Sequence, residues 1–178
     1  MLDKHTLETQ LSELPLYAFY FVAPSDLEFS SSVRWMCEHE CPMYGTSWAC
    51  PPGVGDVGEC EKTCKQFETC LIISTAAEVS DIANIEETLA TRANHEENTD
   101  LVGDLLKHHG LRPYVLSTQA CSICESCAYP DGSPCRHTDR MHPCIESHGV
   151  KLIPVLERLG EEITYGGNTV HWYSLLFY

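Results

Sequence analysis

Leu71-Ile-Ile-Ser-Thr75 is a short apolar and β-branched run, set between the polar Gln66-Phe-Glu-Thr69 and the acidic Glu78. A run of this length and composition reads as a strand buried on both faces. Three further stretches share its character: Leu16-Tyr-Ala-Phe-Tyr-Phe-Val22, Tyr114-Val-Leu-Ser-Thr118 and the tail Asn168-Thr-Val-His-Trp-Tyr-Ser-Leu-Leu-Phe-Tyr178, which the turn residues Gly166-Gly167-Asn168 would feed. The tail fits either a central strand or a dimer edge. Between these strands, helical spacing runs through residues 4–13, 57–70 and 150–159, where Pro154 demands a late start or a kink. It also runs from Asp81 to His109, with Ser80 as cap, Gly110 as stop and the polar Asn94–Asp100 as a possible break. The expected architecture is α/β or α+β: one domain over residues 1–178, about four short strands with connecting helices, and two cysteine-rich loops.

Those loops hold the chemistry. A chain of 178 residues can bury a core without covalent staples, so its 11 cysteines are surplus to stability. Their number is odd, and the start MLDKHTLETQ lacks the apolar stretch of a signal peptide. A soluble, cytoplasmic protein is expected, with thiols free unless a metal takes them. Against 26 Asp and Glu stand 11 Lys and Arg, a formal charge of -15. That charge repels phosphate backbones and anionic lipid, which argues against nucleic acid and membrane partners and for a partner with a basic docking surface.

The second cysteine block is Cys121-Ser-Ile-Cys124-Glu-Ser-Cys127, beginning just after the Tyr114–Thr118 strand, with Cys135 following after a loop of seven residues. Three thiolates on one tight loop and a fourth nearby form the donor set of an iron-sulfur cubane. Zinc fits less well, because its four-thiolate sites usually come as two separated CxxC pairs and Cys127/Cys135 do not make the second. Arg136, directly after Cys135, is placed to hydrogen-bond cluster sulfur or an anionic ligand.

The first block is Cys37-Glu-His-Glu-Cys41, then Tyr44-Gly-Thr-Ser-Trp48-Ala-Cys50-Pro51-Pro52. It supplies three thiolates from what reads as loop. Its spacing is not the CxxxCxxC of radical enzymes, since Tyr44 stands at the third cysteine position. The glycines of Gly53-Val-Gly-Asp-Val-Gly58 lack the GK[ST] of a phosphate loop and read as a turn. Cys60 and Cys64 follow at i and i+4 on one helix face, and either can be the fourth ligand. Cys60 is preferred because it lies nearer the helix start, where the dipole favours a thiolate. Cys70, against Leu71 and Ile72, reads as a buried apolar thiol.

Taken together, W-x-C-x3-C-x-M-Y-G-T-S-W-A-C-P-P-G-V-G, E-C-x3-C, C-x2-C-x2-C-x-Y-P-D-x-x-P-C-R, I-E-S-x-G and N-T-V-x-x-Y-S resemble a family of cysteine-rich proteins of anaerobic bacteria and archaea. The family is a domain of unknown function described as predicted metal-binding protein. The resemblance spans residues 34–178 and implies iron-sulfur binding. It carries over to Cys37, Cys41, Cys50, Cys60, Cys64, Cys121, Cys124, Cys127 and Cys135. It leaves out Cys144, where a serine is usual, and Cys70, where an aromatic is usual.

Of the nine histidines, His137 and His142 stand out, because with Arg136 and Arg140 they form a cationic spot beside the second block. The others read as solvated or capping groups. No hydrolase triad order, nucleophile elbow, GxGxxG or HExxH is present. The leading expectation is a protein with two [4Fe-4S] clusters, one on Cys37, Cys41, Cys50 and Cys60 and one on Cys121, Cys124, Cys127 and Cys135. Such a protein would carry single electrons to a redox partner rather than act as a stand-alone enzyme. The alternatives are an enzyme whose first cluster has an open iron for a small substrate, and a zinc-stabilised interaction module.

Overall fold

The computed structural model describes residues 3–161 and 167–178, so Gly166 of the expected turn lies outside the described residues. In chain order the elements are α1 (Lys4–Ser12), β1 (Ala18–Val22), β2 (Glu28–Phe29), α2 (Ser31–His39), α3 (Val57–Cys64), β3 (Cys70–Glu78), α4 (Ile85–Ala90), α5 (Arg92–His108), β4 (Tyr114–Leu116), β5 (Val150–Lys151), α6 (Ile153–Arg158) and β6 (Thr169–Phe177). The fold is mixed α and β, and all four expected strands form one sheet in the order β1-β3-β6-β4. Each pairing in it is antiparallel, so α+β is the description that fits. The tail strand β6 is central: it registers with β3 from Cys70↔Phe177 to Glu78↔Thr169 and with β4 from Tyr114↔Phe177 to Leu116↔Leu175.

Strand alternation explains why Leu71–Thr75 is continuously apolar. Leu71 and Ile73 point with Leu176 and Val115 to the face covered by Leu7 and Leu11 of α1 and Val102 and Leu106 of α5. Cys70 and Ile72 point with Leu175, Phe177 and Leu116 to the opposite face, covered by Leu27, Cys64, Ile145, Val155 and Leu156. With both faces dry, polar residues have no place in the run except where hydrogen-bonded.

That exception shapes α5. The polar stretch 94–100 does not break the helix, because His95 and Thr99 turn inward and are satisfied. His95 bonds Thr75 Oγ1 through Nδ1 and Ser174 Oγ through Nε2, both at 2.8 Å, and Thr99 Oγ1 donates to Ser174 Oγ at 3.0 Å. The break falls earlier, between α4 and α5, and Asn84 rather than Ser80 caps α4. Ser80 instead bonds the Glu87 carboxylate through both its backbone N–H and its hydroxyl. Pro154 sits in the first turn of α6, where its missing N–H costs nothing. Two features lacked a sequence expectation: helix α2, capped by Ser30, and the β2–β5 ribbon pairing Glu28↔Lys151 and Phe29↔Val150. No helix among the described residues is long and apolar enough to cross a membrane.

Burial pushes the His95 imidazole down from 6.5 to about 4. The unfolded chain therefore takes up a proton near pH 6.5 that the folded chain refuses until about pH 4, and stability falls as pH drops through that window. The loss approaches ~1.4 kcal/mol per pH unit. Urea midpoints measured at pH 7 and pH 5 should fall more steeply for the natural chain than for His95→Gln; equal slopes would mean that His95 is protonated in the fold.

Candidate metal centre

Three segments converge at the end of β4. Cys37 is in the last turns of α2, not in a loop, and the chain continues from it through Cys41 to Cys50. Beyond β4, Ser117 takes the 143–145 segment alongside it: its N–H donates to Pro143 O at 2.8 Å and its carbonyl accepts from Ile145 N at 3.1 Å. This isolated parallel bridge sets Cys144 opposite Ser117, a few residues from Cys121. Cys37, Cys41, Cys50, Cys121 and Cys144 consequently line one cavity of about 580 Å³. Met36, Met43, Tyr44 and Pro51 give it apolar walls, and Arg92, Glu40 and Glu146 give it charge.

The neighbouring Cys37 and Cys144 thiols act on each other, which holds the pKa of Cys37 down and pushes that of Cys144 up. Burial holds the Cys50 thiol up, and the sulfurs of Cys41, Cys37 and Cys121 add to that by repelling a second negative charge. These thiols therefore sit close enough to feel one another's ionisation.

Cys121, Cys124, Cys127 and Cys135 line a second, narrow cavity with Trp48, His137 and Met141. The backbone N–H of His137 donates to Cys135 sulfur at 3.4 Å, and that of Ser147 to Cys144 sulfur at 3.3 Å. Arg136 does not face sulfur: its guanidinium donates to Ser126 O at 3.0 Å and closes the loop on itself. Trp48 joins the two blocks, donating from Nε1 to Ser133 O at 2.9 Å and meeting the Tyr129 ring edge to face with centroids 4.9 Å apart. Cys121 lines both cavities, and residues 47–50 supply Ser47, Trp48 and Ala49 to one and Cys50 to the other. The two thiol groups share a wall.

Cys60 and Cys64 line neither cavity. The capping box of Asp56 and Glu59 starts α3 so that both thiols face inward, and both are buried. Cys60 sulfur accepts from Arg34 Nη2 at 3.2 Å, whereas Cys64 joins the core, where burial pushes its thiol up to about 12. Burial raises the Cys70 thiol well above its ordinary value too, as expected of an apolar thiol. Cys144 rather than Cys60 thus lines the first cavity with Cys37, Cys41 and Cys50, and no spacing rule singles it out because the Ser117 bridge brings it there. His142 pairs with Asp100 at 3.3 Å, and His39 stacks on Trp35 at 4.4 Å between centroids. Among the described residues no three His, Cys, Asp or Glu side chains converge on a point that would hold a single metal ion.

A family model described as predicted metal-binding protein (DUF2284) matches residues 20–178, a span that contains every cysteine of the chain. Searches of the curated proteins and of the solved structures found no match.

The loop that carries Cys50 depends on Gly53. A Cβ there would lie 2.8 Å from Ser47 O and 3.1 Å from Cys50 O, both backbone atoms that cannot swing aside. In α5 a Cβ at Gly103 meets nothing within 4 Å. Thermal unfolding should show Gly53→Ala destabilised by about 1–3 kcal/mol. The same measurement should show Gly103→Ala stabilised by roughly 0.5–1 kcal/mol from helix propensity.

Proposed function

The chain belongs to the family of predicted metal-binding proteins, and from that premise we propose that it is a cytoplasmic electron carrier holding two [4Fe-4S] clusters. One observation carries the reading: thiols from separate segments gather into two groups around two adjoining cavities. Cys37, Cys41, Cys50 and Cys144 would hold the first cluster, and Cys121, Cys124, Cys127 and Cys135 the second. The donor set is all sulfur, which suits iron-sulfur chemistry, and backbone N–H groups already aim at Cys135 and Cys144 sulfur. Four thiols spread around a cavity rather than aimed at one point favour a polynuclear cluster over a zinc ion. The second cavity is narrow, about 20 Å³, so its half-buried thiols must rotate outward to admit a cluster. When bound, each cluster supplies a one-electron couple.

The surface around the first group supports a docking role. Trp35, Met36 and Tyr44 are exposed large apolar side chains, Cys41 is exposed among them, and Glu38 and Glu40 ring them with negative charge. A redox partner with a basic rim and an apolar centre would complement this face. The 580 Å³ volume of the first cavity favours a second reading, an enzyme whose first cluster is held by Cys37, Cys41 and Cys50 alone, with an open iron and room for a small substrate.

Anaerobic reconstitution with iron and sulfide tests both. The carrier reading expects about eight iron atoms per chain, with Cys144→Ser and Cys124→Ser each losing about half and Cys60→Ala losing none. Because the groups share a wall, electron paramagnetic resonance of the fully reduced protein should show splitting from two interacting spins, absent in Cys124→Ser. Full iron in Cys144→Ser would move the assignment to the open-iron enzyme. Iron loss in Cys60→Ala would restore Cys60 as the fourth ligand.

A further inference from the structure

Arg34 lies on α2 one turn before Cys37 and is 4% exposed, too little for its charge to reach water. A guanidinium so placed normally has a carboxylate partner, because burying an unpaired charge costs several kcal/mol. Among the described residues no carboxylate lies within 4.0 Å of Arg34. Its Nη1 donates to Gly55 O at 2.8 Å and its Nη2 to Cys60 sulfur at 3.2 Å, while its buried Nε has no partner there. Arg34 stands three residues before Cys37 on the same helix, so the buried guanidinium and the buried Cys37 thiol lie on one helix face. Glu146 and Glu38 are near enough to act on Cys37 but do not pair with Arg34.

We propose that Arg34 is the built-in counter-charge of the first thiol group, and that Cys60 serves to fix its guanidinium rather than to bind metal. The inference rests on the two-cluster reading. An all-thiolate cluster is anionic, and taking up one electron makes it more so. A buried cation beside Cys37 stabilises the reduced state more than the oxidised one, since the attraction grows with the added charge in a medium of low polarity. Arg34 is in this sense a positioning and tuning residue that holds charge without touching the transferred electron.

The test is a redox titration of the reconstituted protein, with dithionite as electron donor, following the two clusters by electron paramagnetic resonance and using Cys124→Ser to tell which signal belongs to the first group. Arg34→Gln should bind the natural amount of iron and lower the potential of the first cluster by at least ~59 mV, a tenfold change for one electron. The second cluster should stay within a small fraction of that shift, and Arg34→Lys should recover most of it. If Arg34→Gln does not fold, Arg34→Met carries the same test, because an apolar side chain of similar volume avoids an unpaired buried polar group. An unchanged first potential, or equal shifts of both clusters, overturns the role of Arg34 while leaving the two clusters in place. Failure of the natural chain to take up iron overturns the function reading itself.

Discussion

The pairing of β3 with β6 is the constraint on which the molecule depends. Nine residues of each strand register against each other, and the apolar half of that ladder is buried on both faces. Every other packed element leans on this pair: α1 and α5 on one side, α6 and the segments around Leu27 and Ile145 on the other. β6 follows the cysteine segments in the sequence, so the β3–β6 pairing spans the second block of them. The pairing is long-range, with its ends about a hundred residues apart, and such contacts are slow to form because the loop between them must first be closed.

The thiol groups are consequences of how β4 ends. β4 pairs with β6 for three residues only, and at Ser117 the strand stops pairing with the sheet and takes the 143–145 segment instead. That exchange sets Cys144 next to the start of the Cys121 loop, and α2 presents Cys37 to the same place. Trp48 then clamps the Cys50 loop to Ser133 across the second group. No single element builds either cavity. Each is made where loops held by a rigid sheet meet, the usual location of functional side chains.

What the sequence disclosed and what it hid divide along the same line. The strands were legible because burial on both faces leaves an unmistakable apolar run, and the grouping of the Cys121 loop because three thiols within seven residues need no tertiary information. The direction of Cys60 and Cys64 was not legible, because i,i+4 spacing says only that two side chains share a helix face. The Asp56 capping box aims that face at the core and at Arg34, not at the other thiols. Cys144 was invisible because its place comes from a bridge to Ser117, twenty-seven residues earlier, and α2 because its only apolar stripe is short and partly exposed. The polar centre of α5 read as a break because the partners of His95, Thr75 and Ser174, lie on two different strands.

The two thiol groups differ in the kind of charge they keep nearby. Around the second, Arg136 and Arg140 are near the surface, where water screens them, and the four thiols are only half-buried. Around the first, Cys37 and Cys50 are buried, Arg92 lines the cavity, and Arg34, on the helix of Cys37, is buried. In a chain of net charge -15 the average field opposes negative charge in the interior, and a buried cation offsets that field locally. Desolvation alone would keep those thiols protonated, as it does Cys64 and Cys70. At Cys37 the neighbouring Cys144 thiol chiefly, and Arg34 to a smaller degree, offset that tendency and hold the thiol below its ordinary value. A fixed cation alone does not decide the matter, because the Cys60 thiol that Arg34 bonds is still pushed up by burial, whereas at Cys37 the Cys144 thiol and Arg34 act together against it.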